Sequence, residues 1–74
     1  MSDWNVNFED RSVTHFLSSS RFWFYNYPDA NDIDGPKSMY LGSKWDDYFS
    51  SKEDICLAAT NVWRTRLGVE PLKS

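Results

Sequence analysis

The sequence predicts an α+β fold: a small antiparallel sheet of about three strands with one C-terminal helix packed on one face. Three observations predict it. Polar and apolar residues alternate in WNVNF near the start of the chain. Residues 21–41 carry two strand-like stretches around a turn-rich loop. Residues 51–67 carry a helix start signal, an apolar side and a helix stop signal.

In residues 4–8, Trp4, Val6 and Phe8 alternate with Asn5 and Asn7, the period-two pattern of a half-buried strand. Residues 12–17, SVTHFL, fit either a second short strand or a single helical turn, and Ser18–Ser20 is a break. Residues 21–27, RFWFYNY, hold five aromatics in seven positions and favour a strand by propensity. Pro28 ends that strand, because it has no amide hydrogen for the ladder. Residues 28–36, PDANDIDGP, form a loop of turn-favouring residues. Residues 37–41, KSMYL, return as the partner strand, and 44–50 form a connector with room for a helical turn.

The helix is the best-defined element. Ser50 with Glu53, or Ser51 with Asp54, supplies a capping pattern. Glu53 and Asp54 complement the positive end of the helix dipole; Arg64 and Arg66 complement the negative end. Gly68 fits the position past the last turn, and Pro71 blocks continuation. Ile55, Cys56, Ala58, Ala59, Val62, Trp63 and Leu67 fall on one side, with Arg66 snorkelling from its edge. The whole chain, 1–74, reads as one domain with a core over about 4–68 and a loose tail at 69–74.

Size and charge narrow the function. A 74-residue domain buries roughly 60% of its unfolded surface, which leaves no room for a core, a cleft and a second domain together. The formal net charge is −3, unlike a protein that binds nucleic acid by neutralising phosphates. Residues 1–50 carry a net of −4 and residues 51–74 a net of +1, so a partner meets mainly acidic surface in the first two-thirds. Cys56 is the only cysteine and pairs with nothing inside the chain, which favours a reducing compartment. No apolar run reaches the roughly 18–20 residues of a membrane span. The N-terminal residues are acidic and polar, unlike a secretory signal. The expectation is a soluble, cytoplasmic protein.

A family likeness rests on specific residues. A strand leading into Tyr40-Leu41-Gly42, a connector with Phe49, then Glu53-Asp54, Ala58-Ala59, Arg64, Arg66 and Gly68 resembles the plant ethylene-response-factor DNA-binding domain. It is similar also to the arm-type DNA-binding domain of tyrosine integrases. The resemblance covers residues 15–68 and implies a three-stranded sheet that enters the DNA major groove. On that reading Arg21, Lys37, Lys44, Arg64 and Arg66 touch DNA. The strand positions that carry arginine in the family are here mostly Trp23, Tyr25, Tyr27, Ser38 and Tyr40, and Asp29, Asp32 and Asp34 repel phosphate.

The residues themselves point elsewhere. In a strand, Arg21, Trp23, Tyr25 and Tyr27 share one face, and Phe22, Phe24 and Asn26 share the other. Phe22 and Phe24, with Met39 and Leu41, suit the helix-facing core. Trp23, Tyr25, Tyr27 and Tyr40 then either form an exposed aromatic patch or lie beneath an N-terminal segment carrying Trp4 and Phe8. Tyrosine and tryptophan on a surface are typical binding anchors. The expected partner surface joins Trp23, Tyr25, Tyr27 and Tyr40 with the acids Asp29, Asp32, Asp34, Asp46 and Asp47, and fits a protein or nucleoprotein with a basic surface.

Catalytic and metal readings are weak. Numbered as an EF-hand with Gly35 at position 6, the loop has Ala30 at position 1 and Leu41 at position 12, so it lacks two calcium ligands. His15 and Cys56, one of each, cannot make a structural zinc site alone. Cys56 falls on the apolar side of the helix, where cysteine behaves as a small hydrophobe. The expectation is no enzyme, no cofactor and no metal. The composition looks like that of small acidic inhibitors of phages and mobile elements, including anti-CRISPR and anti-restriction proteins. A module that docks on its target and inhibits or modulates it is the leading expectation; a sheet-type DNA-binding domain and a subunit of a homo-oligomer are the alternatives.

Overall fold

The computed structural model describes residues 3–25 and 35–72. Four strands form one antiparallel sheet in the order β1-β2-β3-β4: β1 (Trp4–Asn7), β2 (Ser12–His15), β3 (Ser20–Trp23) and β4 (Ser38–Tyr40). A 3-10 turn at Trp45–Asp47 precedes the helix α1 (Lys52–Leu67), which packs on one face. The fold is thus α+β, with a helix at its C-terminal end, and SVTH is a strand.

Short turns join β1 to β2 and β2 to β3, which fixes the antiparallel order of the first three strands. Both turns flanking β2 use left-handed backbone at a non-glycine residue, Arg11 at φ 56° and Ser19 at φ 57°. The register sets Val13 opposite Phe22 and Phe22 opposite Met39 on the helix side, with Val6 opposite Val13 beyond them. Thr14, Arg21 and Tyr40 line up across the other side.

The core lies between sheet and helix: Val13, Phe22, Phe24, Ile55, Ala59 and Trp63 are buried, with Trp4, Val6, Leu41, Trp45 and Phe49 packed around them. Phe22 and Phe24 therefore occupy the predicted core face. Trp4 and Phe8 do not cover the outer face. Trp4 packs near His15 and Phe49 on the helix side, and Phe8 packs on Trp63 with ring centroids 5.4 Å apart. The alternation that makes β1 amphipathic turns Trp4 and Val6 toward the core.

Ser51, not Ser50, caps the helix: its hydroxyl accepts the amide hydrogen of Asp54 at 3.1 Å. Gly68 closes it in the left-handed conformation at φ 83°. The Gly68 amide donates to the Thr65 carbonyl at 3.1 Å and the Val69 amide to the Arg64 carbonyl at 2.9 Å, which is a Schellman closure. The buried stripe differs from the wheel. Thr60 and Arg64 are buried, whereas Leu67 and Arg66 are exposed. Thr60 satisfies its hydroxyl on the Cys56 carbonyl, and Arg64 donates from Nε to the Glu70 carbonyl. Of the tail expected at 69–74, residues 73–74 lie outside the described residues and Leu72 is bonded to the helix. Asn61 clamps Leu72 through both backbone groups, at 2.6 Å and 3.3 Å, and the segment returns along the helix.

Candidate interaction face

The outer face of the sheet is built by the parity of four strands. Asn5, Asn7, Ser12, Thr14, Arg21, Trp23, Ser38 and Tyr40 point away from the helix, as their pairings require. Tyr25, two residues past Trp23, is half exposed, and Tyr40 is 61% exposed. Between Thr14, Phe16, Ser19, Arg21, Trp23 and Tyr40 lies an open, largely apolar groove of about 330 Å³.

Arg21 sits in the middle of this face. Its Nε donates to the Thr14 hydroxyl at 3.0 Å. Its guanidinium carbon stands 5.9 Å from the centroid of the Trp23 ring, within cation–π range. Two contacts thus hold the side chain across two neighbouring strands. Its terminal amino groups make no hydrogen bond among the described residues.

Phe16 also belongs to this face, beyond the residues that the sequence pattern singles out. It is 57% exposed on the turn joining β2 to β3. The signal was present: Thr14 and Phe16 have the same strand parity. The turn is pinned from beneath by buried hydroxyls. The His15 ring at Nδ1 lies 2.8 Å from Ser18 Oγ, Ser18 Oγ lies 2.8 Å from Ser20 Oγ, and the Gly42 amide donates to Ser20 Oγ at 3.0 Å. Gly42 has only a hydrogen atom to spend on this approach, because a Cβ there would fall 1.6 Å from the Ser18 carbonyl oxygen. Ser20 Oγ accepts from the Gly42 amide, and the Ser18 hydroxyl links it to His15 Nδ1. Burial lowers the His15 pKa, with Asp3 opposing it. A histidine and a serine hydroxyl in contact form a possible nucleophile and base, but His15, Ser18 and Ser20 are each under 5% exposed, so a substrate reaches neither hydroxyl in this conformation.

The predicted site residues fall in several places. Trp23, Tyr25 and Tyr40 share the outer face; Tyr27, Asp29, Asp32 and Asp34 lie outside the described residues. Asp46 and Asp47 are exposed on the 3-10 turn, whose neighbours Trp45 and Phe49 pack against the core on the helix side. They do not line the groove. The five basic residues do not form one surface either. Arg21 is on the sheet's outer face and Lys37 precedes β4; Lys44 is on the connector; Arg66 is on the helix, and Arg64 is buried there.

Cys56 is half-buried, with its thiol donating to the Met39 sulfur at 3.6 Å, and burial pushes its pKa up, the opposite of an activated nucleophile. Among the described residues no three histidine, cysteine, aspartate or glutamate side chains gather closely enough to hold a metal ion. Among them, too, no helix is long and apolar enough to cross a membrane.

No protein-family model, no curated protein and no solved structure matches the chain.

Proposed function

We propose that this chain is a non-enzymatic binding module that docks on another protein through the outer face of its sheet and thereby inhibits or modulates it. The observation that carries the reading is the outer-face group of exposed Arg21 and Tyr40 with half-buried Trp23, extended by Phe16 and the groove between them. Tryptophan, tyrosine and arginine are the residues most enriched among binding hot spots. A small domain that buried every ring would gain stability. Here the N-terminal aromatics pack on the helix side instead, and the outer rings remain for a partner.

The reading is tested by photo-crosslinking. A benzoylphenylalanine replaces Tyr40 in one variant and Thr65, an exposed helix position, in another. Both are expressed in cells of the source organism and irradiated. The expected result is a defined crosslinked protein from position 40 and none from position 65. Crosslinking from position 65 alone moves the docking surface to the helix and ends this reading.

A further inference from the structure

We infer that the groove beside Arg21 receives an acidic side chain of the partner protein, set next to an apolar or aromatic residue in the same segment. This rests on the outer face being the docking surface and adds the chemistry of what docks there.

Charge carries the argument. The chain as a whole is acidic, at −3. The lining of its groove differs. Among the described residues, Arg21 is the only charged one in that lining, and the strand residues that the pairings place on this face include no carboxylate; Asp10, just before β2, accepts from the outer-face Ser12 hydroxyl at 2.6 Å. A guanidinium that is in no ion pair among the described residues attracts a counter-charge from a partner. It is also arranged in advance. Thr14 holds Nε and the Trp23 ring lies alongside, so the terminal amino groups are left for a bidentate acceptor. Carboxylates match that fork in geometry. Holding the side chain before binding removes much of the ordering cost that a free arginine incurs.

The remaining lining selects the rest of the segment. Phe16, Trp23 and Tyr40 surround the cation with apolar surface. Such walls lower the local dielectric once covered and strengthen the ion pair. They also need an apolar group to cover them. The occupant is thus an internal acidic residue beside a hydrophobic one. A chain-terminal carboxylate is taken by backbone nests, whereas the donor here is a side-chain fork. Single-stranded nucleic acid is the other anion with flat apolar faces. It carries a phosphate at every step and calls for a track of cations along its path. One groove-lining cation among the described residues, on a chain of net −3, favours a single carboxylate.

The test uses the full chain and a random dodecapeptide phage library as the probe, with the oligonucleotide dT10 titrated separately by fluorescence anisotropy at physiological salt. Selections run on the native sequence, on Arg21→Glu and on Tyr40→Ala, after circular dichroism confirms that each is folded. Arg21 and Tyr40 are exposed, so neither change removes core packing. The expected result is enrichment of Asp or Glu adjacent to Trp, Phe, Tyr or Leu. Binding of those peptides falls roughly tenfold or more on Arg21→Glu, a loss of hot-spot size. Selection on Arg21→Glu yields Lys or Arg at the acidic position instead. Peptides that are lost on Tyr40→Ala yet show no acidic preference leave the docking face standing and overturn this inference. Peptides insensitive to both changes, or no enrichment at all, overturn both. Saturable dT10 binding that Arg21→Glu abolishes, without acidic peptides, assigns the groove to nucleic acid and overturns it as well.

Discussion

The rings of Phe24 and Trp63 lie parallel, 2° apart in plane and 5.2 Å between centroids, joining the end of the third strand to the last turns of the helix. Phe24 is completely buried and Trp63 nearly so. The Trp63 indole N–H is buried with no hydrogen-bond partner in the structure, so stacking and burial hold the ring. This contact ties the two layers together at the end of the sheet where the hairpin opens.

Phe24→Ala should accordingly cost about 3–5 kcal/mol, the usual range for removing a buried aromatic. That is a large part of the stability of so small a domain. Tyr40→Ala, on the outer face, should stay within about 0.5 kcal/mol of the native protein, as exposed substitutions do. Urea unfolding of the two variants side by side measures the difference. Equal losses would mean that Tyr40 is structural and that the outer face is not available for binding.

Gly42→Ala should be among the most damaging single changes. The added Cβ meets backbone, the Ser18 carbonyl oxygen at 1.6 Å, and backbone cannot swing aside as a side chain can. Separation of the connector from the turn breaks the Gly42 amide bond to Ser20 and unpins Ser18. The cost should lie at or above the upper end of the ~1–3 kcal/mol typical of overpacking. A loss below 1 kcal/mol in urea unfolding would show that the turn and connector relax independently.

Much of this fold is legible in the sequence, for identifiable reasons. Period-two alternation places Phe22 and Phe24 against Trp23 and Tyr25 without ambiguity, and Gly68 marks the helix end because only a left-handed residue closes it there. What is not legible comes from polar groups that bury one another. Ser18 and Ser20 read as a break in the chain, yet both are buried because each hydroxyl has a partner. Thr60 and Arg64 read as the helix's polar side, yet the carbonyls of Cys56 and Glu70 satisfy them inside. The acids Asp46 and Asp47 appear in sequence as neighbours of the aromatic patch. The connector instead turns to the helix side, because Trp45 and Phe49 seek the core. Local pattern cannot report such long-range partners.

The two overlapping capping patterns separate by mutation. Ser51→Ala removes the acceptor for the Asp54 amide and should cost about 1 kcal/mol, with a range of roughly 0.5–2. Ser50→Ala should change stability little, since Ser50 is exposed and outside the helix. Thermal or urea unfolding of the pair decides it. A larger loss from Ser50→Ala would place the helix start one residue earlier.

Stability should fall on mild acidification, and His15 should be the cause. Its folded pKa lies below the ordinary 6.5 of a free imidazole because burial disfavours the charged ring. The unfolded chain therefore binds the proton more readily than the folded one. Stability is complete above the unfolded value and declines as pH drops through about 6.5 toward the folded pKa, where the decline ends. The groups around the ring explain the sign. Trp4, Tyr48 and Phe49 face it as rings, Ser18 Oγ shares a hydrogen bond with Nδ1, and Asp3 favours the charged form. His15 is the only histidine, so its ring signals in a proton NMR titration need no assignment by mutation. The midpoint should lie below 6.5, and Asp3→Asn should lower it further by removing the one opposing charge. Urea unfolding at steps from pH 7.5 to 5 should lose stability in the native protein over the same window, and this loss should vanish in His15→Gln. A midpoint above 6.5, or a decline that persists unchanged in His15→Gln, would assign the acid sensitivity to the carboxylates instead.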